Sequence, residues 1–261
     1  MPELTYGSYL EVEQLLALQR CQSPGPEHDE LLFIVAHQVY ELWFKIILHE
    51  LDHLVAALRS TDAGAALHTL RRVLVVFRTL VAQVEVLETM TPLQFLSFRS
   101  SLDSASGFQS AQFRELEFLL GHKRPAIVRV FPEGSPERAR LERRLHEPSV
   151  WGAVLYLLAR SGYPVPSAEL NRDVTKPAAP SPPVQRLLIE IYRHDVTLTQ
   201  VCERLIDLDE IIQEWRYRHV KMVERTIGTK SGSSGSTGAG YLRGTLFSPL
   251  FPDLWAIRGE L

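Results

Sequence analysis

Apolar residues recur along this chain at helical spacing in long runs separated by short breaks, and no segment alternates at period two with β-branched residues between turn signals. The longest run, His28 to Arg59, contains neither glycine nor proline. Its first half is so apolar that burial on more than one side is expected. Residues 62 to 88 carry a stripe of Leu67, Leu70, Leu74, Phe77, Leu80, Val81, Val84 and Leu87, which predicts a second long helix. A third begins at Val184, is interrupted near Asp195, and continues through DLDEIIQEW to His219. Ahead of these lies a short amphipathic segment, residues 8 to 20, preceded by Tyr6 and Tyr9 and followed by a break from Ser23 to Pro26.

Between the long runs the punctuation is explicit. Thr91-Pro92-Leu93-Gln94 has the form of a capping box with proline at the first helical position, opening PLQFLSFRSSL. Ser106 to Gln109 repeats the box and begins a helix that Gly121 closes. Ser135-Pro136 opens a basic helix stopping before Pro148, and Ser149 caps VWGAVLYLLAR, which ends at Gly162. Residues 163 to 183, with the proline cluster KPAAPSPP, read as a surface connector. The expected fold is therefore all-α, a bundle of long helices, which is a usual setting for cofactor sites built between facing helices.

Composition narrows the function classes without choosing one. With 45% hydrophobic residues, 23% charged residues and a formal net charge of -3, nothing predicts binding to nucleic acid or to an anionic membrane. No apolar run approaches spanning length and the N-terminus lacks a basic-then-apolar signal, so a cytoplasmic location is expected. Cys21 and Cys202 stand alone, far from any disulfide framework or zinc-ribbon spacing.

The candidate chemistry sits on the helices. On the last long run Ile212, Trp215, His219, Val223 and Thr226 share a stripe, with Arg216, Arg218, Lys221, Glu224 and Arg225 largely outside it. His219 is thereby either a hydrogen-bonded core histidine or an axial ligand for a haem iron. His37 in FIVAHQ, four residues after Phe33, carries the same pair of readings. Arg99 lies beside Phe95, Leu96 and Phe98, where a planar guanidinium either clamps a carboxylate or forms a structural ion pair. HELDH at 49 to 53 matches a zinc-hydrolase pattern, but Asp52 puts a charge where such helices need none and no third ligand follows. The series Glu41, Lys45, His49 and His53 reads instead as a solvated charged face. After the last helix comes a loop rich in glycine and hydroxyls, without a phosphate-binding signature and followed by Tyr241, Leu242, Leu246 and Phe247. It reads as an active-site loop or a linker.

Taken together, FIVAHQVYELWFK, LETMTPLQFLSFR, SGFQSAQFRELE, DLDEIIQEWRYRHVKMVERTIGTK and YLRGT with FPDLW resemble the haem-dependent tryptophan 2,3-dioxygenases, in order and along nearly the whole chain. The resemblance implies a single helical domain over residues 1 to 261, a haem b that is ferrous in the active state, and insertion of both atoms of O2 into L-tryptophan to give N-formylkynurenine. His219 falls at the family's axial haem ligand, His37 at the catalytic distal histidine that bonds the indole N-H, and Phe33 at an aromatic contact to the indole. Arg99 matches the arginine that holds the substrate carboxylate, and Phe95 an aromatic position of the same pocket. Ser106 and Gly107 match a segment close to the haem. Tyr6, Tyr9 and Leu10 match substrate contacts that, in the family, a neighbouring subunit of a homotetramer supplies. The family's usual GTGG loop is Gly232-Ser233-Ser234-Gly235 in this chain; Ser233 keeps the substrate-binding hydroxyl, and Ser234 replaces a glycine. That departure leaves open a relative that inserts one oxygen into a substituted tryptophan, and beyond it a haem sensor without turnover.

Overall fold

A computed structural model describes residues 4–25, 27–103, 105–228, 230 and 243–261. Among them the fold is all-α, without strands. Three helices form the frame: α3 (His28–Arg59), α4 (Ala63–Glu88) and α12 (Val196–Ile227), with α4 packed against both of the others. The short α1 (Tyr6–Leu10) and α2 (Val12–Leu16) precede the frame. Between α4 and α12 the chain runs through α5 (Pro92–Arg99), α6 (Ala111–Leu119), α7 (Pro125–Val128), α8 (Pro136–His146), α9 (Val150–Arg160), α10 (Ser167–Leu170) and α11 (Pro182–His194). The last helix is α13 (Pro252–Ala256).

The frame holds because the three stripes interlock. Leu51, Leu54 and Leu58 of α3, Leu70, Phe77 and Leu80 of α4, and Leu205, Leu208 and Ile212 of α12 are buried in one cluster. Each such side chain removed from water contributes roughly 1.5 to 3 kcal/mol. α6 and α9 pack on α3, and α11 and α13 close against α12. Side chains of the loops define the ends. Asp62 accepts the amide of Ala65 at 2.9 Å to start α4, and Asp195 accepts that of Leu198 at 2.9 Å, separating α11 from α12 where the sequence predicted a break. Thr91 and Gln94 form the expected reciprocal box, and Gly121 and Gly162 take φ of 107° and 94°, a conformation that favours glycine.

Several expectations need correction. The first half of α3 is not buried on more than one side, because Leu31, Val35, Leu42 and Ile46 are exposed on its outer face. It is also the one helix among the described residues long and apolar enough to cross a bilayer, although its inner face packs on α4, α6 and α9. The Ser106 box caps only a 3-10 turn, Gly107–Gln109, and a separate cap, Ser110 accepting from the amide of Phe113, starts α6. The connector after Gly162 includes the short α10. α12 itself runs to Ile227, just past Thr226, the last position of its predicted stripe.

Candidate active-site cavity

The inner faces of α3, α5, α6 and α12 enclose a cavity of about 280 Å³. Helical spacing places its α3 wall: Phe33, His37, Tyr40 and Phe44 follow one another down a single face. The Phe33 ring lies 4.1 Å from the His37 ring, 5.8 Å from Phe95 and 5.6 Å from Phe98, so α3 and α5 meet through tilted aromatic contacts. Deeper in, Phe113 bridges Phe44 at 5.4 Å and Trp215 at 4.9 Å. Trp215 in turn stacks on His219, with 5.2 Å between centroids and 21° between planes.

Hydrogen bonding settles which form of His37 is present. Its Nδ1 lies 2.7 Å from the Phe33 carbonyl oxygen, a contact that requires a proton on Nδ1. Burial lowers its pKa, against the opposing effects of that carbonyl and of Glu41, so the ring is neutral near pH 7 and Nε2 keeps its lone pair. His219 is pushed down to about 4, chiefly by burial and further by His37 and Arg114. Its ring has no hydrogen-bond partner among the described residues, and it lines the cavity. A neutral imidazole with an unclaimed nitrogen, set in an apolar cleft between helices, fits the axial site of a haem.

Part of the remaining wall is charged. Glu117 of α6 is buried, and although burial pushes its carboxyl up, the guanidinium groups of Arg114, Arg124 and Arg216 override this and lower it. Arg216, although outside the apolar stripe of α12, is buried against Glu117. Glu41 leaves the solvated series predicted for α3. It is half-buried, lines the cavity, and receives Gln112 Nε2 at 2.8 Å on its carboxylate. Of HELDH, Asp52 and Glu50 are engaged by Arg144 and Arg72, while His49 and His53 are exposed.

The cavity thus brings together Phe33, His37, Phe95, Arg99, Ser106, Gly107 and His219, residues spread over most of the sequence. Tyr6, Tyr9 and Leu10 are not among its lining; they sit on the exposed α1. Ser233 and the GSSG loop lie outside the described residues. Reading residue by residue missed Glu41, Arg114, Glu117 and Arg216. The available signal was the i,i+3 pair Arg114 and Glu117 inside AQFRELEFLL, whose apolar positions predict burial, so that its charges need partners.

The sequence pattern of the family described as tryptophan 2,3-dioxygenase matches residues 1–133 and 184–261. A tryptophan 2,3-dioxygenase of Herpetosiphon aurantiacus is 60% identical over 258 residues, covering 99% of this chain and 98% of that protein. Those of an Anaeromyxobacter species (strain K) and of Bacillus anthracis are 55% and 40% identical, each across 99% of this chain and 96% and 93% of their own lengths. The chain belongs to the tryptophan 2,3-dioxygenase family. The cavity agrees with how the family pattern divides: α3, α5 and α6 fall in the first matched block and α12 in the second. The intervening α8, α9 and α10, outside the pattern, contribute nothing to the cavity wall.

Proposed function

We propose that this chain is a haem-dependent dioxygenase that cleaves the indole C2-C3 bond of L-tryptophan with O2, giving N-formylkynurenine. The observation that carries the reading is the pairing of two neutral histidines on facing helices in one aromatic cavity, one with an oriented acceptor and one with an unclaimed ring. His219 would hold haem b, ferrous in the active state, with Ser106 and Gly107 bordering it. When bound, the haem supplies the activation of dioxygen.

The protein's own residues then bind and orient the amino acid. His37 Nε2 accepts the indole N-H, because Nδ1 is already committed to the Phe33 carbonyl. Phe33 and Phe95, 5.8 Å apart, offer ring faces to the indole. Arg99, on the same cavity wall as Phe95, presents its planar fork to the carboxylate, and the Ser233 hydroxyl would assist at the amino-acid end. The apolar lining excludes water and shortens the list of accessible poses.

The same reading assigns the exposed apolar surface. Tyr6 and Tyr9 are 80% and 71% exposed, which is costly for free aromatic residues. A homotetramer in which α1 completes a neighbour's cavity would bury them, along with Leu10 and the outer face of α3. The chain would act as one domain, residues 1 to 261, in the cytoplasm. The test is product mass after the reduced, haem-loaded protein meets L-tryptophan and isotopically labelled O2. Two labelled oxygens in a ring-opened product are expected. One labelled oxygen, or turnover only of a substituted tryptophan, would replace the assignment with a single-oxygen insertion or a different indole substrate.

A further inference from the structure

We propose that Glu117 is a positioning residue for the substrate cavity, a buried carboxylate that fixes the two loops bordering it through Arg114 and Arg216. Glu117 Oε2 accepts Arg114 Nη1 at 2.6 Å and Arg124 Nη2 at 2.5 Å, while Oε1 accepts Arg216 Nη2 at 3.4 Å. The two inner arginines each reach onward to a loop. Arg114 Nε donates to the Phe108 carbonyl at 3.3 Å, and its guanidinium covers the Phe108 ring at 4.7 Å, so it fixes the turn that carries Ser106 and Gly107. Arg216 Nη1 donates to the Thr245 carbonyl at 3.2 Å. Phe108 and Thr245, far apart in the sequence, both line the cavity.

The geometry makes one group responsible for both straps. A guanidinium is planar and its donors are fixed relative to one another, so engaging one edge on a carboxylate sets the direction of the rest. Glu117 engages one nitrogen of each inner arginine and thereby aims the nitrogen that holds the loop. Arg216 also stands one turn before His219 on α12, so the same carboxylate ties the segment bearing His219 to α6. As a mere fastener the arrangement would be a poor choice, because well-packed apolar residues stabilise a core as well as a buried ion cluster does. What an ion cluster adds is direction, and here the directions end on cavity loops.

This inference rests on the tryptophan reading, and the experiment separates the two. Tryptophan affinity is measured by spectral titration of the haem-loaded protein for the wild type, Glu117→Gln, Arg216→Met and the double variant, alongside thermal midpoints. Each single variant should weaken tryptophan binding, Glu117→Gln about tenfold, and the double variant should be no weaker than Glu117→Gln, because the strap that Arg216→Met cuts is one of the two that Glu117→Gln already releases. Wild-type affinity in either single variant, or single effects that multiply in the double variant, would overturn the proposal. If Glu117→Gln does not fold with three cations left together, Glu117→Gln/Arg124→Gln removes one of them. That variant should fold and still bind weakly, and wild-type affinity in it would equally overturn the proposal. A wild-type protein that binds haem but no tryptophan would instead refute the substrate reading. The iron–histidine vibrational band then decides: a shift in both Glu117→Gln and Arg216→Met supports positioning, and an unmoved band refutes it.

Discussion

Replacing His37 by leucine isolates a single hydrogen bond. With Nδ1 held by the Phe33 carbonyl at 2.7 Å, only Nε2 is left for the indole N-H, as an acceptor. A hydrogen bond between neutral groups contributes roughly 0.5 to 1.5 kcal/mol net. At about 1.4 kcal/mol per factor of ten, that is a loss of roughly 2- to 12-fold in tryptophan affinity. Leucine also forfeits the ring contact with Phe33 at 4.1 Å, so the change in affinity alone would be ambiguous. The preference for L-tryptophan over 1-methyl-L-tryptophan removes the ambiguity, since both share the ring contact and only the first has an indole N-H. The wild-type preference should shrink by about 2- to 12-fold in His37→Leu. It should also be flat from pH 7 to 8, because burial holds the His37 pKa below its ordinary value. A preference unchanged by the substitution would refute the acceptor role.

Arg99→Ala should raise the tryptophan dissociation constant about 30-fold, corresponding to ~2 kcal/mol for a half-buried charge pair, and leave tryptamine binding unchanged; equal losses for both ligands would sink the carboxylate assignment. His122 is pushed down to about 4, first by burial and then by Arg216. The unfolded chain, with an ordinary histidine near 6.5, takes up a proton between these values that the folded protein refuses, so stability should fall as pH drops from about 6.5 to 4 and be level above that window. This histidine's share is ~2 kcal/mol after discounting for partial exposure, and His122→Gln should reduce the difference in unfolding free energy between pH 7 and 4.5, read from urea titrations, by that amount. Lys123 is buried and donates to the carbonyls of Arg144, Leu145 and Glu147 at the end of α8. Lys123→Met leaves these acceptors without their donor and should lower the urea midpoint by the equivalent of ~3 kcal/mol with an unchanged slope.

Features that depend on near neighbours in sequence were legible before any coordinates. The break at Asp195 follows from a side chain three residues ahead of the amide it accepts, and the Thr91 box from residues three apart. Phe33 and His37 share a face for the same local reason, being one turn apart. The stripe through Trp215 and His219 continues directly into the stacked pair at the cavity.

Features that depend on a distant partner were not legible, and the charged residues show why. Periodicity assigns Arg216 to the polar side of α12 because an arginine alone is expensive to bury. What reverses the assignment is Glu117, 99 residues away in sequence, which supplies a countercharge that no local pattern announces. Glu41 was misread in the same way: in α3 it continues a run of alternating charge, yet Gln112 of α6, 71 residues on, draws it against the cavity. The outer face of α3 is the opposite error. Its apolar residues predict burial correctly as a demand, but nothing within the described chain meets that demand at Leu31, Val35, Leu42 and Ile46. Each of the three misreadings therefore marks a place where the partner lies elsewhere: on α6 for Arg216 and Glu41, and, under the homotetramer reading, on another copy of the chain for α3.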